Sequence, residues 1–209
     1  KKVSLSNAQK LFGQDRETVE EGEAGDVIGI VGNDLFGIGD TLTEDRSIVY
    51  NEIPRFTPEC FAFLHNPQPS NYKRFRQGLD QLLQEGVVQV LDLGSTRSKV
   101  PLLAAVGPLQ FEVVQHRMQG EYNAESRLEP AVWSLARWAR HKTNPDWEPD
   151  LPDSATLATD QDQRKLILFQ DEWAITHFTR RNPDIELSPL PFGGPALGPS
   201  DGATVGAAA

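Results

Sequence analysis

The side chains with the clearest chemical potential lie together in residues 133–142. Aromatic rings offer surfaces on which nucleobases stack, and guanidinium groups form paired hydrogen bonds with phosphate. This segment therefore predicts an RNA-facing surface. The other interpretation is that the tryptophans belong to the core and the arginines form a solvated rim. The members of the segment are Trp133, Arg137, Trp138, Arg140, His141 and Lys142.

Strand geometry narrows the choice among these residues. If residues 131–139 form a β-strand, successive side chains point to opposite faces of the sheet, so Arg137 and Arg140 project away from each other. A flat partner surface cannot meet both. The pattern therefore favours the end of the strand, at Arg140, His141 and Lys142, as the RNA contact.

A second basic cluster contains Lys73 and Arg74, in the first turn of a predicted helix. Charged side chains on an exposed helix face are usually solvated, and that is the favoured interpretation here. RNA contact is the alternative.

The sequence contains no motif that predicts catalysis. The phosphate-loop pattern G-x-x-x-x-G-K-[ST] is absent, and residues 94–99, GSTRSK, lack its second glycine and predict a hairpin loop instead. The four histidines are too scattered for a metal site. No carboxylate pair stands in apolar surroundings, where a raised pKa would indicate a general acid. We therefore predict no catalytic, cofactor-binding or metal-binding residues in this chain.

The charge of the chain is unevenly distributed. A net charge of −10 argues against a general nucleic-acid-binding protein. However, residues 1–52 have a net charge of −6, residues 53–142 of +3, and residues 143–209 of −7. The acidic segments at both ends disfavour nonspecific binding to polyanions, whereas a basic surface formed by the middle segment can still contact phosphate.

The composition predicts a monomeric cytoplasmic protein without membrane contact. No apolar run approaches the roughly 20 residues that a membrane-spanning helix needs, and no signal peptide leads the chain. The single cysteine, Cys60, cannot form an internal disulfide. It is interpreted as a small buried hydrophobic residue in a reducing compartment.

The predicted fold class is α+β. Short β-branched segments between Gly, Asp and Asn in residues 1–52 predict the remnant of a small antiparallel β-barrel. Residues 53–187 follow the order β-α-β-β-α-β of a ferredoxin-like, or split βαβ, domain, with a β-rich C-terminal extension that completes the sheet. Residues 188–209, rich in Pro, Gly and Ala, predict a flexible tail.

The best-defined predicted element is a helix that begins at Pro108, because a proline suits the first turn. Phe111, Val114 and Met118 follow at spacings of three and four residues, so they share one face. We expect this face to be buried against the sheet. Gly120 is the predicted end of the helix.

These residues also resemble the translational GTPases. AGDVIGI at residues 24–30 and IGDTL at 38–42 resemble the end of the barrel domain of that superfamily. LDQLLQEG at 79–86 and VGPLQFEVV at 106–114 resemble the third domain of elongation factor G. Within the superfamily, residues 1–187 most closely resemble the peptide chain release factor 3 family. The segments that carry this resemblance are IPRFTPE at 53–59, LQF at 109–111, EYN at 121–123 and ARW at 136–138.

The resemblance implies a GTPase that binds the ribosome at termination and helps to remove the class I release factor after the peptide is freed. It implies that GTP or GDP is bound by a domain preceding Lys1, so no cofactor is expected in this chain. The implied partners are small-subunit RNA and protein of the ribosome, with the class I release factor an indirect partner. The candidates for ribosome contact are then Arg137, Arg140, His141, Lys142, Lys73 and Arg74.

Two alternatives remain open. Within the superfamily, the chain is a fragment of elongation factor G or of a ribosomal protection protein. In a different class, it is a stand-alone protein–protein interaction module without RNA contact.

Overall fold

The computed structural model describes residues 8–12, 15–30, 36, 38–50, 56–94 and 100–192. By its contacts the chain forms two units, Lys1–Ile48 and Val49–Ala209. The predicted boundary between residues 52 and 53 lies outside the described residues. Most of the predicted 94–99 loop and the predicted tail from residue 193 onward also lie outside them.

The first unit contains a three-stranded antiparallel sheet in the order β2-β1-β3. The central strand β1 (Ala8–Phe12) pairs with β2 (Asp15–Thr18) on one side and with β3 (Ile28–Ile30) on the other. This antiparallel sheet of short strands agrees with the prediction of a barrel remnant.

The strands of the second unit form two four-stranded antiparallel sheets in its described part. The first sheet, in the order β5-β6-β4-β7, consists of β4 (Cys60–His65), β5 (Gln89–Leu91), β6 (Leu102–Ala105) and β7 (Arg127–Pro130). The second sheet, in the order β11-β8-β10-β9, consists of β8 (Leu135–His141), β9 (Ala155–Thr159), β10 (Lys165–Phe169) and β11 (Ile185–Ser188). The helices are α1 (Tyr72–Gln84), α2 (Pro108–Tyr122) and α3 (Glu172–Arg181).

The first sheet confirms the ferredoxin-like prediction. Its elements follow the chain order β4-α1-β5-β6-α2-β7, and all neighbouring strands are antiparallel. Both helices pack on one face of this sheet. Phe111, Val114 and Met118 of α2 are buried there together with Phe75 and Leu79 of α1. The predicted buried face of α2 is therefore correct.

The C-terminal extension forms its own sheet and does not complete the first one. Trp138 and Leu166 of the second sheet pack with Phe61 and Leu102 of the first sheet, and Phe178 of α3 packs against the opposite face of the second sheet. β8 carries apolar side chains on both of its faces, so both faces must be covered by other parts of the protein. A strand added at the edge of the first sheet would have left one of these faces exposed to water. The unit thus has four layers: α1 with α2, the first sheet, the second sheet, and α3.

Gln110 fixes the start of α2. Its Oε1 accepts hydrogen bonds from Val106 N at 2.7 Å and Gly107 N at 3.2 Å, while its Nε2 donates to Val87 O at 2.8 Å. The Gln110 side chain therefore satisfies two backbone N–H groups at the start of α2 and links this helix start to Val87, which follows α1.

The end of α2 lies two residues beyond the predicted position. The helix continues through Gly120 to Tyr122 and ends at Asn123, which adopts the left-handed conformation with a φ of 48°. Helices commonly end at a residue in the left-handed conformation, and Asn123 provides it here. Gly120 is therefore not needed to end the helix.

Gly78 allows α1 and α2 to approach closely. A Cβ at this position would lie 2.8 Å from Met118 Sδ and 2.8 Å from Tyr122 Cγ. Gly78→Ala is therefore expected to destabilise the protein by about 1–3 kcal/mol through overpacking. By contrast, Gly120→Ala meets no atom within 4 Å and is expected to stabilise it by about 0.5–1 kcal/mol. Urea unfolding of both variants measures the difference, and effects of the same sign would contradict this account.

Candidate functional site

The aromatic and basic segment folds mainly as β8. The strand begins at Leu135, four residues later than predicted, and ends at His141. Its side chains alternate as predicted. Ala136 and Trp138 face the first sheet, whereas Leu135 and Ala139 face the layer of α3.

Trp133 and Trp138 are packing residues. Trp138 is 2% exposed, and its Nε1 donates a hydrogen bond to Asp160 Oδ2 at 3.1 Å. Trp133 is half-buried, with its ring centroid 6.3 Å from that of Phe63. For these two rings the core interpretation is correct, and neither offers an open stacking surface.

Arg137 lies on the face of the second sheet that α3 covers. Its Nη1 donates to Ala136 O at 2.8 Å, and its Nη2 lies 3.7 Å from Glu172 Oε1. The strand therefore separates Arg137 from Arg140, and the structure does not bring the two together.

The end of β8 lines a pocket with a volume of about 330 Å³, which we call the β8 pocket. It brings the predicted residues Arg140 and His141 together with Arg164 and Lys165, because β10 pairs with β8. Aromatic side chains complete its walls. The lining residues that matter here are Trp138, Arg140, His141, Trp147, Gln163, Arg164, Lys165 and Phe192.

Both arginines of the β8 pocket have carboxylate partners. Arg140 Nε lies 2.7 Å from Glu186 Oε2, and Arg164 Nε lies 2.8 Å from Asp160 Oδ2. The pocket therefore carries less uncompensated positive charge than its sequence indicates.

Two lysines near the pocket donate to backbone carbonyls. Lys165 Nζ donates to Trp147 O at 3.0 Å and lies 4.8 Å from the centre of the Trp147 ring. Lys142 Nζ donates to Pro183 O at 2.8 Å. Lys142 is exposed in the turn after β8 and has no carboxylate partner among the described residues, so its charge remains available to a partner molecule.

The ring of His141 is held by backbone donors. Its Nδ1 accepts hydrogen bonds from Thr143 N at 3.1 Å and Asn144 N at 3.0 Å. An accepting nitrogen carries its lone pair, so the ring proton sits on Nε2.

Asp160 organises the turn next to the β8 pocket. Its Oδ1 accepts from the backbone N of Asp162 and of Arg164, each at 2.9 Å, and its Oδ2 accepts from Trp138 Nε1 and Arg164 Nε. Burial alone would raise the pKa of Asp160, but these hydrogen bonds outweigh burial and hold the pKa below its usual value. The charged carboxylate is thus the favoured form in the folded protein.

Lys73 and Arg74 form a separate surface. Both are exposed on α1, and neither makes an ion pair with a residue that the structure describes. Because α1 and the second sheet lie on opposite faces of the first sheet, the structure does not bring these residues to the β8 pocket.

The sequence analysis missed Arg164, Lys165 and Phe192. Two consecutive basic residues at the start of a predicted strand were the signal for Arg164 and Lys165, but the pairing of β10 with β8 was needed to place them beside Arg140. Phe192 gave no signal, because it lies in the segment that was predicted to be a tail.

Within the described residues, no group of three or more His, Cys, Asp or Glu side chains is placed to hold a metal ion. In the same part of the chain, no helix has the length and apolar character needed to cross a bilayer.

Residues 50–179 match the family model described as class II release factor RF3, C-terminal domain. Peptide chain release factor 3 of Gloeobacter violaceus is 45% identical over 194 residues, covering 91% of this chain and 36% of that protein. The protein of the same name from Gloeothece citriformis is 41% identical over 200 residues, covering 96% of this chain and 37% of that protein. The chain spans about a third of the length of these relatives. A crystal structure from Thermus thermophilus reaches a TM-score of 0.46 at 19% identity, covering 73% of this chain and 24% of that one, which is too low to support an argument.

Proposed function

Since this chain belongs to the peptide chain release factor 3 family, we propose that it forms the ribosome-binding C-terminal region of a translation-termination GTPase. In this proposal the factor works in the cytoplasm and recycles class I release factors after the peptide is released. The family match favours this function over a fragment of elongation factor G or of a ribosomal protection protein.

The observation that best supports ribosome contact is the gathering of basic side chains at the end of β8. Arg140, His141, Arg164 and Lys165 line one pocket, and Lys142 lies exposed in the next turn. These residues stand out in a chain whose net charge is −10. Among them Lys142 has no carboxylate partner in the described part of the chain, so its charge is the one available to RNA phosphate.

The proposed role of this region is mechanical. Contacts with small-subunit RNA and protein would let it act as a docking surface and lever that couples the nucleotide state of the factor to the conformation of the ribosome. Class I release factor would then be an indirect partner, displaced by this rearrangement.

GTP or GDP belongs, in this proposal, to a domain outside this chain. The starts of α2 and α3 do not fit a nucleotide phosphate. Pro108 removes a backbone N–H at the start of α2. At the start of α3 the Asp171 carboxylate already accepts from Ala174 N at 2.8 Å.

This chain alone is expected to bind no guanine nucleotide, because its sequence has no phosphate-loop motif and the starts of α2 and α3 do not fit a phosphate. Titration calorimetry of the purified chain with GDP is the measurement. Saturable binding of GDP would refute the assignment of the nucleotide to another domain.

The intact factor carrying both Arg140→Gln and Lys142→Gln is expected to bind ribosomes about tenfold more weakly, because the charge-assisted contact of Lys142 with phosphate and the contact made by Arg140 are both lost. The slope of log K against log salt should fall by about 1 for each phosphate contact removed. Ribosome pelleting across a salt series, together with the melting temperature of the variant, measures both effects.

The comparison variant carries Lys73→Gln and Arg74→Gln, which remove the same charge from α1. If only this second variant flattens the salt dependence, ribosome contact lies on α1 and the β8 pocket is a solvated rim. If the parent protein binds ribosomes with no salt dependence, the stand-alone protein-interaction alternative is favoured.

A further inference from the structure

We propose that the β8 pocket binds one unpaired nucleobase of RNA, stacked on the guanidinium plane of Arg140. This inference rests on the proposed ribosome contact and specifies how it is made. Arg140 recognises RNA through its flat face, and the neutralisation of phosphate is left to its neighbour Lys142.

Arg140 lies between an aromatic ring and a carboxylate. Its guanidinium carbon lies 4.4 Å from the centre of the Phe192 ring, and its Nε is held by Glu186 Oε2 at 2.7 Å. The side chain nevertheless remains 58% exposed. The guanidinium thus lies over an aromatic ring with its Nε on a carboxylate and with much of the side chain exposed, and unpaired bases of RNA stack on guanidinium planes.

The ion pairs of the β8 pocket favour an uncharged ligand over a phosphate. A phosphate that paired with Arg164 would compete with Asp160, which is 7% exposed, whereas the partner of Arg140, Glu186, is 40% exposed and holds Arg140 only weakly. Separating a buried carboxylate from its partner is costly. A nucleobase is uncharged and approaches the face of the guanidinium, so it displaces neither carboxylate.

The β8 pocket also contains hydrogen-bonding groups for the edge of a base. His141 lines the pocket but follows Arg140 directly in β8, so its ring points to the other face of the sheet. Gln163, which also lines the pocket, carries an amide that donates and accepts. Its φ of 61° is one of only two positive values among the described non-glycine residues. Strained backbone of this kind clusters at binding sites, and bases are read by such polar groups on their edges.

The size and lining of the pocket agree with this ligand. Its volume of about 330 Å³ accommodates a nucleobase, and Phe192, over which Arg140 lies, supplies apolar wall beside the polar groups. Ligand sites generally combine aromatic walls with a few placed polar groups.

The decisive variant is Arg140→Lys in the intact factor, because lysine keeps the charge and can reach Glu186 but has no plane. The probes are hexaadenylate, followed by fluorescence anisotropy, and ribosomes, followed by pelleting with chemical footprinting of unpaired bases. Loss of one stacked base is expected to weaken binding of both probes about tenfold. The salt slope should stay unchanged, and one ribosomal nucleotide should regain reactivity.

Arg180→Lys, the same substitution at an exposed residue of α3, is the matched control and should bind both probes like the parent. Phe192→Leu removes the aromatic ring on which Arg140 packs and should also weaken binding of both probes. Because this variant leaves Arg140 itself unchanged, a loss here would show that the position of the guanidinium plane matters.

Parent-like binding by Arg140→Lys would overturn the base pocket while leaving ribosome binding intact. Weaker ribosome binding with no change in nucleotide reactivity and none in hexaadenylate binding would also overturn it, because the contact would then be a ribosomal protein. If the parent binds hexaadenylate through Arg140 but binds no ribosomes, the base pocket stands and the proposed function fails.

Discussion

Replacing Asp160 by alanine is expected to lower the free energy of unfolding by about 3–5 kcal/mol, as is typical when one partner of a buried ion pair is removed. The variant would leave the buried indole N–H of Trp138 without its acceptor. It would also leave Arg164 without its most buried carboxylate and remove two hydrogen bonds that shape the turn. Urea unfolding followed by far-ultraviolet circular dichroism measures the loss.

Asp162→Ala is the matched control for this prediction. Asp162 pairs with the same arginine, Arg164, but its side chain is half exposed. Exposed ion pairs contribute little, so the expected loss is below about 1 kcal/mol. Equal losses of stability in the two variants would show that the burial of Asp160 does not cause its larger expected contribution.

The same carboxylate predicts a dependence of stability on pH. The hydrogen bonds at Asp160 hold its folded pKa below the usual value, so its stabilising effect is fully present above about pH 4, where an unfolded aspartate is charged. That effect is lost as the pH falls through the lower folded pKa. Asp160→Asn should therefore show a shallower loss of stability below about pH 4 than the parent. Identical acid slopes would contradict the lowered pKa.

Phe111→Ala is expected to cost about 3–5 kcal/mol, the usual range for truncating an aromatic side chain in a core. Phe111 is 8% exposed and lies in the core between α1, α2 and the first sheet. Leu109, one position before Gln110 on the same helix, is 67% exposed. Leu109→Ala should therefore change stability by less than about 0.5 kcal/mol, as surface substitutions usually do. A loss below about 1 kcal/mol for Phe111→Ala would mean that a different face of α2 is buried.

Most of the second unit was predictable from short-range patterns. The spacing of Phe111, Val114 and Met118 indicates the buried face of α2, and the order of helical and strand-like segments indicates the ferredoxin-like sheet. Such patterns depend on residues close in the chain, because side-chain direction repeats with the period of the helix or strand. The same local segments carried the family resemblance, which the comparisons confirm.

Alternation along β8 likewise predicted that Arg137 and Arg140 lie on opposite faces. It did not predict what covers each face. Trp138 was equally compatible with an open stacking surface and with a core position, and burial between two sheets makes it a core residue. Backbone geometry sets the direction of a side chain, whereas its surroundings come from segments far away in the chain.

The β8 pocket depends on three such distant segments. Arg164 reaches Arg140 through the pairing of β10 with β8, Phe192 returns from the C-terminal side, and Glu186 arrives on β11. No local pattern states which carboxylate will neutralise which cation, because that pairing follows from sheet register and layer packing. The sequence therefore located Arg140 and Lys142, and the folded chain decided that Arg140 is paired with Glu186 and lies over Phe192 and that Lys142 keeps its charge available.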